Sequence, residues 1–120
     1  MKLKQVAKEY YSSHDYKNLR DETKAHYLYC LTNSLATSVD NVVIGEVDVT
    51  KMSTKQAKLS YDLWCDRGIS TANHIMAVTR ILFNYAVRME HCNINPFATV
   101  RRRATQPRKV VWTKGDVKKL

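Results

Sequence analysis

The sequence is poor in the residues that build turns, since its 120 residues include only three glycines and two prolines. A β-sheet fold of this length needs many tight turns, so the composition favours helices. No apolar run approaches the roughly 20 residues of a membrane-spanning helix. The charged start, Met1 to Lys4, is not followed by the apolar stretch of a signal peptide. We therefore expect a cytoplasmic protein with no membrane partner.

Cysteine is also scarce, and its three copies are Cys30, Cys65 and Cys92. An odd number of widely spaced cysteines predicts reduced thiols rather than a disulfide framework, which fits the cytoplasm. His91 and Cys92 are adjacent, but a structural zinc site needs about four ligands. The sequence has no second cluster of this kind, so it predicts no bound metal.

Motifs for catalysis are missing as well. The four histidines, at positions 14, 26, 74 and 91, are far apart in the sequence, and three scattered glycines cannot form a phosphate-binding loop. None of the seven tyrosines has a general base or a group of arginines around it in the sequence. Tyr10, Tyr27, Tyr61 and Tyr85 have the spacing of packing residues. We therefore expect no catalysis within these 120 residues.

Positive charge is what the sequence has in excess, and most of it is near the C-terminus. The net charge is +9, and residues 1–99 have twelve Lys and Arg against ten Asp and Glu, whereas residues 100–120 have eight against one. A basic segment beside a nearly neutral body suggests a polyanionic partner such as nucleic acid. A solvated tail or a targeting signal would have the same composition, so charge alone leaves these alternatives open.

Apolar periodicity and capping residues predict four helices. The first covers about residues 2–12 and the second about residues 20–36. A capping box formed by Ser53 and Gln56 starts the third helix, and Gly68 follows its end. Ser70 or Thr71 caps the fourth helix, which runs to about residue 90. The side chains expected to face the core are Leu3, Val6, Ala7, Tyr10, Tyr27, Leu28, Leu31, Leu35, Ala57, Tyr61, Trp64, Cys65, Ile75, Val78, Leu82, Tyr85, Ala86 and Met89.

The segments between the helices have weaker signals. Residues 12–15 are predicted to interrupt the chain as a turn. Within residues 42–50, Val47 to Thr50 alternate as a strand would, but no partner strand is evident, so we expect an extended connector whose valines cover the core. Asn95-Pro96 is expected to end the helical body. A basic linker follows at residues 101–109, then a short strand at residues 110–112 and the start of a helix at residues 113–116.

Two of the predicted helix starts are candidates for DNA contact. Short polar side chains in a first turn can reach base edges in the major groove, while neighbouring cations bind phosphates. Arginines in an extended segment can follow a phosphate backbone. The ordinary alternative is that such residues are caps and solvated polar faces. The candidates are Ser70, Thr71, Asn73 and His74 in the fourth helix, Arg20, Thr23 and Lys24 in the second, and Arg101, Arg102 and Arg103 in the tail.

Three stretches in the second half of the chain carry a resemblance through their order and spacing. They are residues 67–74 (RGISTANH), residues 80–87 (RILFNYAV), and Asn95-Pro96 with Val100. The pattern resembles the last two helices of the core-binding domain in the phage integrase family of tyrosine recombinases. Thr23-Lys24, with Tyr27 three residues on, fits the start of that domain's second helix. Residues 110–120 resemble the strand and helix that open the family's catalytic domain.

The resemblance implies an all-α fold, namely a four-helix orthogonal bundle of the SAM-like core-binding type, in residues 1–100. Residues 101–109 would be a basic linker to a catalytic domain that starts within residues 110–120. Such a domain binds double-stranded DNA at a core recombination site. It would support DNA integration and recombination by a bacterial or phage-encoded parent enzyme, such as that of a prophage. The parent would act as a tetramer on DNA without a metal or nucleotide cofactor, and the isolated domain would be a monomer.

The resemblance also assigns DNA-binding residues. It implies contacts from the first turns of the second and fourth helices, to which Arg80 and the three tail arginines add cations. The family often has arginine where this chain has His74, and a phosphate contact through histidine depends on pH. The full predicted set is Arg20, Thr23, Lys24, Ser70, Thr71, Asn73, His74, Arg80, Arg101, Arg102 and Arg103.

The family's catalytic set includes a His-x-x-Arg pair, which occurs nowhere in this chain, so we expect it not to cut DNA itself.

Two other functions fit the sequence. A helix-turn-helix-like transcription regulator is one alternative, with Arg67, Gly68 and Ile69 as the turn. A helical protein-interaction domain with a basic tail is the other.

Overall fold

The computed structural model describes residues 1–103, and this part of the chain is mostly helical. Its helices are α1 (Leu3–Tyr11), α2 (His14–Lys17), α3 (Asp21–Leu35), α4 (Thr54–Cys65) and α5 (Ile69–Arg88). Two short strands, β1 (Ser38–Val39) and β2 (Val42–Val43), and a 3-10 turn at Ile44–Glu46 lie between α3 and α4. The expectation of an all-α fold is confirmed at this level. The strand and helix predicted at residues 110–116 lie outside the described residues, as does most of the basic linker.

The four predicted helices correspond to α1, α3, α4 and α5, with ends within about two residues of those expected. The capping box at the start of α4 is present. The Ser53 hydroxyl accepts from the Gln56 backbone N–H at 3.1 Å, and the Gln56 side chain accepts from the Ser53 N–H at 3.1 Å. The predicted cap of α5 was wrong, because Gly68 rather than Ser70 or Thr71 precedes the helix. Its φ of 123° is in a region that side chains disfavour, so glycine is needed there.

Two connecting segments are more ordered than the sequence suggested. The turn predicted at residues 12–15 is in part the short helix α2, whose cap Ser13 accepts from the Tyr16 N–H at 3.3 Å. Part of the connector does have a partner strand, because β2 forms a hairpin with β1, whereas the alternating residues 47–50 have only an isolated bridge between Asp48 and Lys2. Asp40 and Asn41 make its two-residue turn with positive φ values, as such hairpins require. Strands of two residues are too short to be recognised by alternation.

The core is built around α5, which packs against α1, α3 and α4. Most of the side chains predicted to face the core are buried or half-buried, but two of them are exposed. Met89 is 50% exposed because α5 ends before it, and Leu28 is 47% exposed because α3 turns Cys30, Leu31 and Ser34 inward instead. The prediction that the valines of the connector cover the core holds for Val49, which is buried, but not for Val42 and Val43, which are exposed.

The chain after α5 turns back along α4 and α5. Phe97 is fully buried and stacks on Trp64 of α4, with ring centroids 5.8 Å apart and planes within 9°. Arg80 of α5 donates to the carbonyl oxygens of Phe97 and Val100, each at 2.9 Å. These contacts direct residues 97–103 towards the N-terminal end of α5. In the part of the chain described here, no helix is long and apolar enough to cross a bilayer.

Candidate nucleic-acid interface

The helices α3 and α5 contact one another near the second turn of each. The rings of His26, early in α3, and His74, early in α5, meet edge to face with centroids 5.3 Å apart. A second contact joins the same helices, since Arg67, just before α5, donates to Asn33 Oδ1 of α3 at 2.8 Å. His74 belongs to the predicted group at residues 70–74, and His26 follows the group at residues 20–24 by two positions, whereas Arg67 contacts the C-terminal part of α3.

The first turn of α5 has the properties of an anion-binding helix end. It contains no acidic residue, and no side chain caps its free backbone N–H groups. Unpaired N–H groups and the positive end of the helix dipole favour a negative group such as phosphate. Ser70 and His74 are exposed there and Thr71 is half-buried, so all three can reach a ligand above the turn.

The first turn of α3 is more ambiguous in charge. Arg20 is its exposed N-cap residue, and Thr23 and Lys24 are half-buried in the same turn. Asp21 and Glu22 are exposed beside them, where their carboxylates suit the helix dipole but repel a phosphate. The hydroxyl of Tyr16 in α2 donates to the Lys24 carbonyl oxygen at 3.1 Å and braces this turn.

Two of the predicted DNA-binding residues are engaged inside the molecule. The guanidinium of Arg80 is bound to the carbonyl groups of Phe97 and Val100. The amide of Asn73 uses both of its groups, because Oδ1 accepts from the Tyr61 hydroxyl at 2.6 Å and Nδ2 donates to the Arg103 carbonyl oxygen at 3.1 Å. Burial raises the pKa of Tyr61, so the phenol keeps the proton that it donates to Asn73. Both residues hold the C-terminal segment.

The three tail arginines are not equivalent. Arg103 pairs with Asp62 of α4 at 2.9 Å. Arg101 and Arg102 are exposed and make no side-chain hydrogen bond or ion pair within residues 1–103. Arg101 also lines a cleft of about 300 Å³ together with Lys58 of α4, which sequence reasoning missed. The only sequence signal for Lys58 is that it precedes Tyr61 by three residues and so lies on the same face of α4. That signal becomes useful only when Tyr61 is known to contact Arg103.

The clearest cluster of titratable groups outside this surface lies at the other end of α5. Glu9 of α1 accepts from the Tyr85 hydroxyl at 2.9 Å and from His91 Nε2 at 2.8 Å. The hydrogen bond from His91, and then that from Tyr85, hold the pKa of Glu9 below its ordinary value. Burial, with Glu9 next to it, raises the pKa of Tyr85 to about 12. This cluster joins α1 to the end of α5.

Metal and thiol chemistry find little support in these residues. Within residues 1–103, no group of three or more His, Cys, Asp or Glu side chains is placed to hold a metal ion. The three cysteines form no disulfide with one another, and burial raises the pKa of Cys30 and Cys92. A thiol with a raised pKa is a weak nucleophile near neutral pH. The surface at the start of α3 and α5 remains the best candidate site.

No protein-family model matches the chain, and searches of curated proteins and of solved structures find no match either. The chemistry of the candidate surface therefore has to be inferred from its own residues and contacts.

Proposed function

We propose that this chain binds double-stranded DNA as the core-binding domain of a phage-type integrase. The four longer helices, α1, α3, α4 and α5, would form the four-helix orthogonal bundle of that domain. The observation that carries the proposal is the contact between His26 and His74, because it joins the second turns of α3 and α5, the two helices whose starts hold most of the predicted DNA-binding residues. Short polar side chains and cations at the starts of two contacting helices fit a major groove with its flanking phosphates.

The proposed binding divides the surface between two roles. The free N–H groups of α5 and the guanidinium groups of Arg101 and Arg102 would bind phosphates, which fixes position along the duplex. Short side chains would read base edges. Asn73 and Arg80 would contribute indirectly, because they hold the C-terminal segment in place. The exposed or half-buried residues proposed to contact DNA are Arg20, Thr23, Lys24, Ser70, Thr71, His74, Arg101 and Arg102.

The proposal assigns binding, and not strand cleavage, to these residues. In the parent recombinase a separate catalytic domain would break and rejoin the strands, and the parent would form the tetramer on DNA. The domain itself would need no metal or cofactor to bind its duplex, because cationic side chains and helix ends supply the attraction to phosphate.

A helix-turn-helix regulator is favoured by one specific observation. Only residues 66–68 separate α4 from α5, which is the turn length of that motif. In this alternative α5 alone reads bases and α3 makes no groove contact. Thr23→Ala and Lys24→Ala distinguish the two functions, because the integrase proposal expects weaker binding from both variants whereas the regulator expects no change from Thr23→Ala.

The direct test is a titration of labelled random duplex at salt concentrations between about 50 and 200 mM. We expect steeply salt-dependent binding, and the slope should flatten by about 0.9 for each phosphate that Arg101→Ala/Arg102→Ala leaves without a cation. Lys2→Ala/Lys4→Ala is the matched control, since it removes the same charge from α1, where both amines are bound to Glu46. Binding that is absent at low salt, or that does not depend on salt, contradicts DNA binding and favours a protein-interaction domain.

A further inference from the structure

A closed ring of three hydrogen bonds holds the start of the basic segment. The Tyr61 hydroxyl donates to Asn73 Oδ1 at 2.6 Å, Asn73 Nδ2 donates to the Arg103 carbonyl oxygen at 3.1 Å, and the Arg103 N–H donates to the Tyr61 oxygen at 2.6 Å. The ring joins α4, α5 and the C-terminal segment. Every polar group in it is used as donor or acceptor, so no member is free to rotate without breaking a bond.

A second anchor lies just before this ring. Val100 is buried, and its carbonyl oxygen accepts from Arg80 at 2.9 Å. The Arg103 side chain adds its ion pair with Asp62 at the other end. Arg101 and Arg102 are the two residues between the anchors, and each Cα is about 3.8 Å from an anchored neighbour. Their backbone is therefore restrained at both ends, while their side chains are exposed.

Restraint of this kind favours ligand binding. A cation on a free tail loses conformational entropy when it settles on a phosphate, whereas a cation on a restrained backbone has lost much of that entropy on folding. The ring also contains Asn73, which lies in the first helical turns of α5, so it sets the distance between the arginine pair and that helix end.

We infer that Tyr61 and Asn73 are positioning residues for phosphate binding, which act by holding Arg101 and Arg102 in place beside α4 and the early turns of α5. The inference rests on the proposed DNA binding. The ligand of the two arginines is the phosphate backbone of the duplex. Neither Tyr61 nor the amide of Asn73 touches DNA while the ring is closed. The residue that sequence reasoning assigned to the groove thus acts through the arginines.

A double-mutant cycle tests this role with the full chain. Tyr61→Phe removes the hydroxyl at the centre of the hydrogen-bonded ring and keeps the buried aromatic group. We expect it to weaken binding to random duplex by roughly three- to tenfold and to flatten the salt slope. In the Arg101→Ala/Arg102→Ala background the same substitution should have no further effect. An equal loss of affinity in both backgrounds, or no loss in either, overturns the inference.

Two controls separate positioning from stability. Tyr85→Phe removes another phenol hydroxyl, the one bound to Glu9, and should leave DNA affinity unchanged even if it lowers the melting temperature by a similar amount. Asn73→Ala opens the ring from the α5 side and should reproduce the effect of Tyr61→Phe, which guards against misfolding of one variant. An equal reduction of affinity in Tyr85→Phe contradicts the positioning role.

Amide hydrogen exchange measures whether the hydrogen-bonded ring is closed in the absence of DNA. Opening it should speed exchange of the Arg103 N–H by roughly tenfold or more, because this donor then has no partner. Slow exchange of that N–H in Tyr61→Phe overturns the inference even if the chain binds DNA. Conversely, a wild-type chain that fails to bind duplex at low salt overturns the proposed function and this inference together, whereas additive effects in the cycle overturn the inference alone.

Discussion

The first turns of α3 and α5 differ in charge and in capping. The turn of α3 carries the carboxylates of Asp21 and Glu22 and is preceded by Arg20. The turn of α5 has no acidic residue and follows Gly68, which provides no capping side chain. The acidic residues stabilise α3 at its positive end by roughly 0.3–1 kcal/mol each, an interaction that α5 forgoes.

The difference indicates that the two helix ends are built for different purposes. A helix end that is neither capped nor neutralised keeps its N–H groups available for an external anion. By contrast, the carboxylates of α3 lie within a Debye length of about 10 Å of any phosphate at that turn and oppose it. We therefore expect α5 to provide most of the attraction and α3 to restrict where the duplex can approach.

The largest effect should come from breaking a buried link between α3 and α5. The Thr79 hydroxyl of α5 is fully buried, 2.8 Å from the Ser34 hydroxyl of α3 and 2.8 Å from the Ile75 carbonyl oxygen. Thr79→Val keeps the shape but leaves Ser34 without this partner, so the free energy of unfolding should fall by about 1–3 kcal/mol. Chemical denaturation measures the change. The double variant Ser34→Ala/Thr79→Val should recover part of it, because no hydroxyl is then left unpaired, and an additive destabilisation would contradict this explanation.

A negative charge placed on α5 should make its end resemble that of α3. Ser70→Asp adds a carboxylate to the exposed first turn, where it stabilises the helix but repels phosphate. We expect DNA affinity at low salt to fall by about tenfold while the melting temperature stays the same or rises. Ser70→Asn is the neutral control and should bind within about twofold of the wild type. Unchanged binding by Ser70→Asp would exclude this helix end from the interface.

Removing the charges from α3 should have the opposite and smaller effect. Asp21→Asn/Glu22→Gln relieves repulsion at a turn that contributes less attraction, so affinity for random duplex should rise by roughly two- to fivefold. The melting temperature should fall slightly as the helix dipole loses its partners. An affinity that does not change would indicate that α3 lies away from the duplex, as in the helix-turn-helix alternative.

The smallest effect concerns the opposite end of α5 and its response to acid. Tyr85 is sixteen residues beyond Ile69, about 24 Å along the helix, so the Glu9 cluster lies far from the first turn. The pKa of Glu9 is lower in the folded chain than its ordinary 4.5, so its stabilising contribution is present above that value. The contribution disappears as the pH falls through the lower, folded value.

Thermal melts of the wild type and Glu9→Gln between about pH 3 and pH 7 measure this contribution, since the variant should lack that part of the pH dependence. DNA affinity at neutral pH should be the same in both. A marked reduction of affinity in Glu9→Gln would mean that the two ends of α5 are coupled and would weaken the contrast between the helix ends.

How well the sequence predicted the site depended on whether a feature is local. The candidates at residues 70–74 and 20–24 are at helix starts, as expected, because capping and periodicity act over a few neighbouring positions. The sequence could not show that Arg103, unlike Arg101 and Arg102, is ion-paired within the molecule. Its partner Asp62 is 41 positions away. Arg80 and Asn73 were likewise predicted to contact DNA, whereas their side chains bind backbone carbonyl groups of residues 97–103. The path of that segment after α5 could not be predicted from local preferences.

The sequence by itself determined the four longer helices, the capping box of Ser53 and Gln56, and a break at Gly68, because these depend on local backbone preferences and on apolar spacing. The tertiary structure alone decided that α3 and α5 are in contact and that Arg103, unlike Arg101 and Arg102, is ion-paired within the molecule. Those outcomes depend on contacts such as His26 with His74 and Asn73 with Arg103, which join residues about 30 to 50 positions apart. The contrast between the two helix ends was therefore already present in the sequence, as Asp21 and Glu22 against Gly68, but only folding brought the two helices into contact.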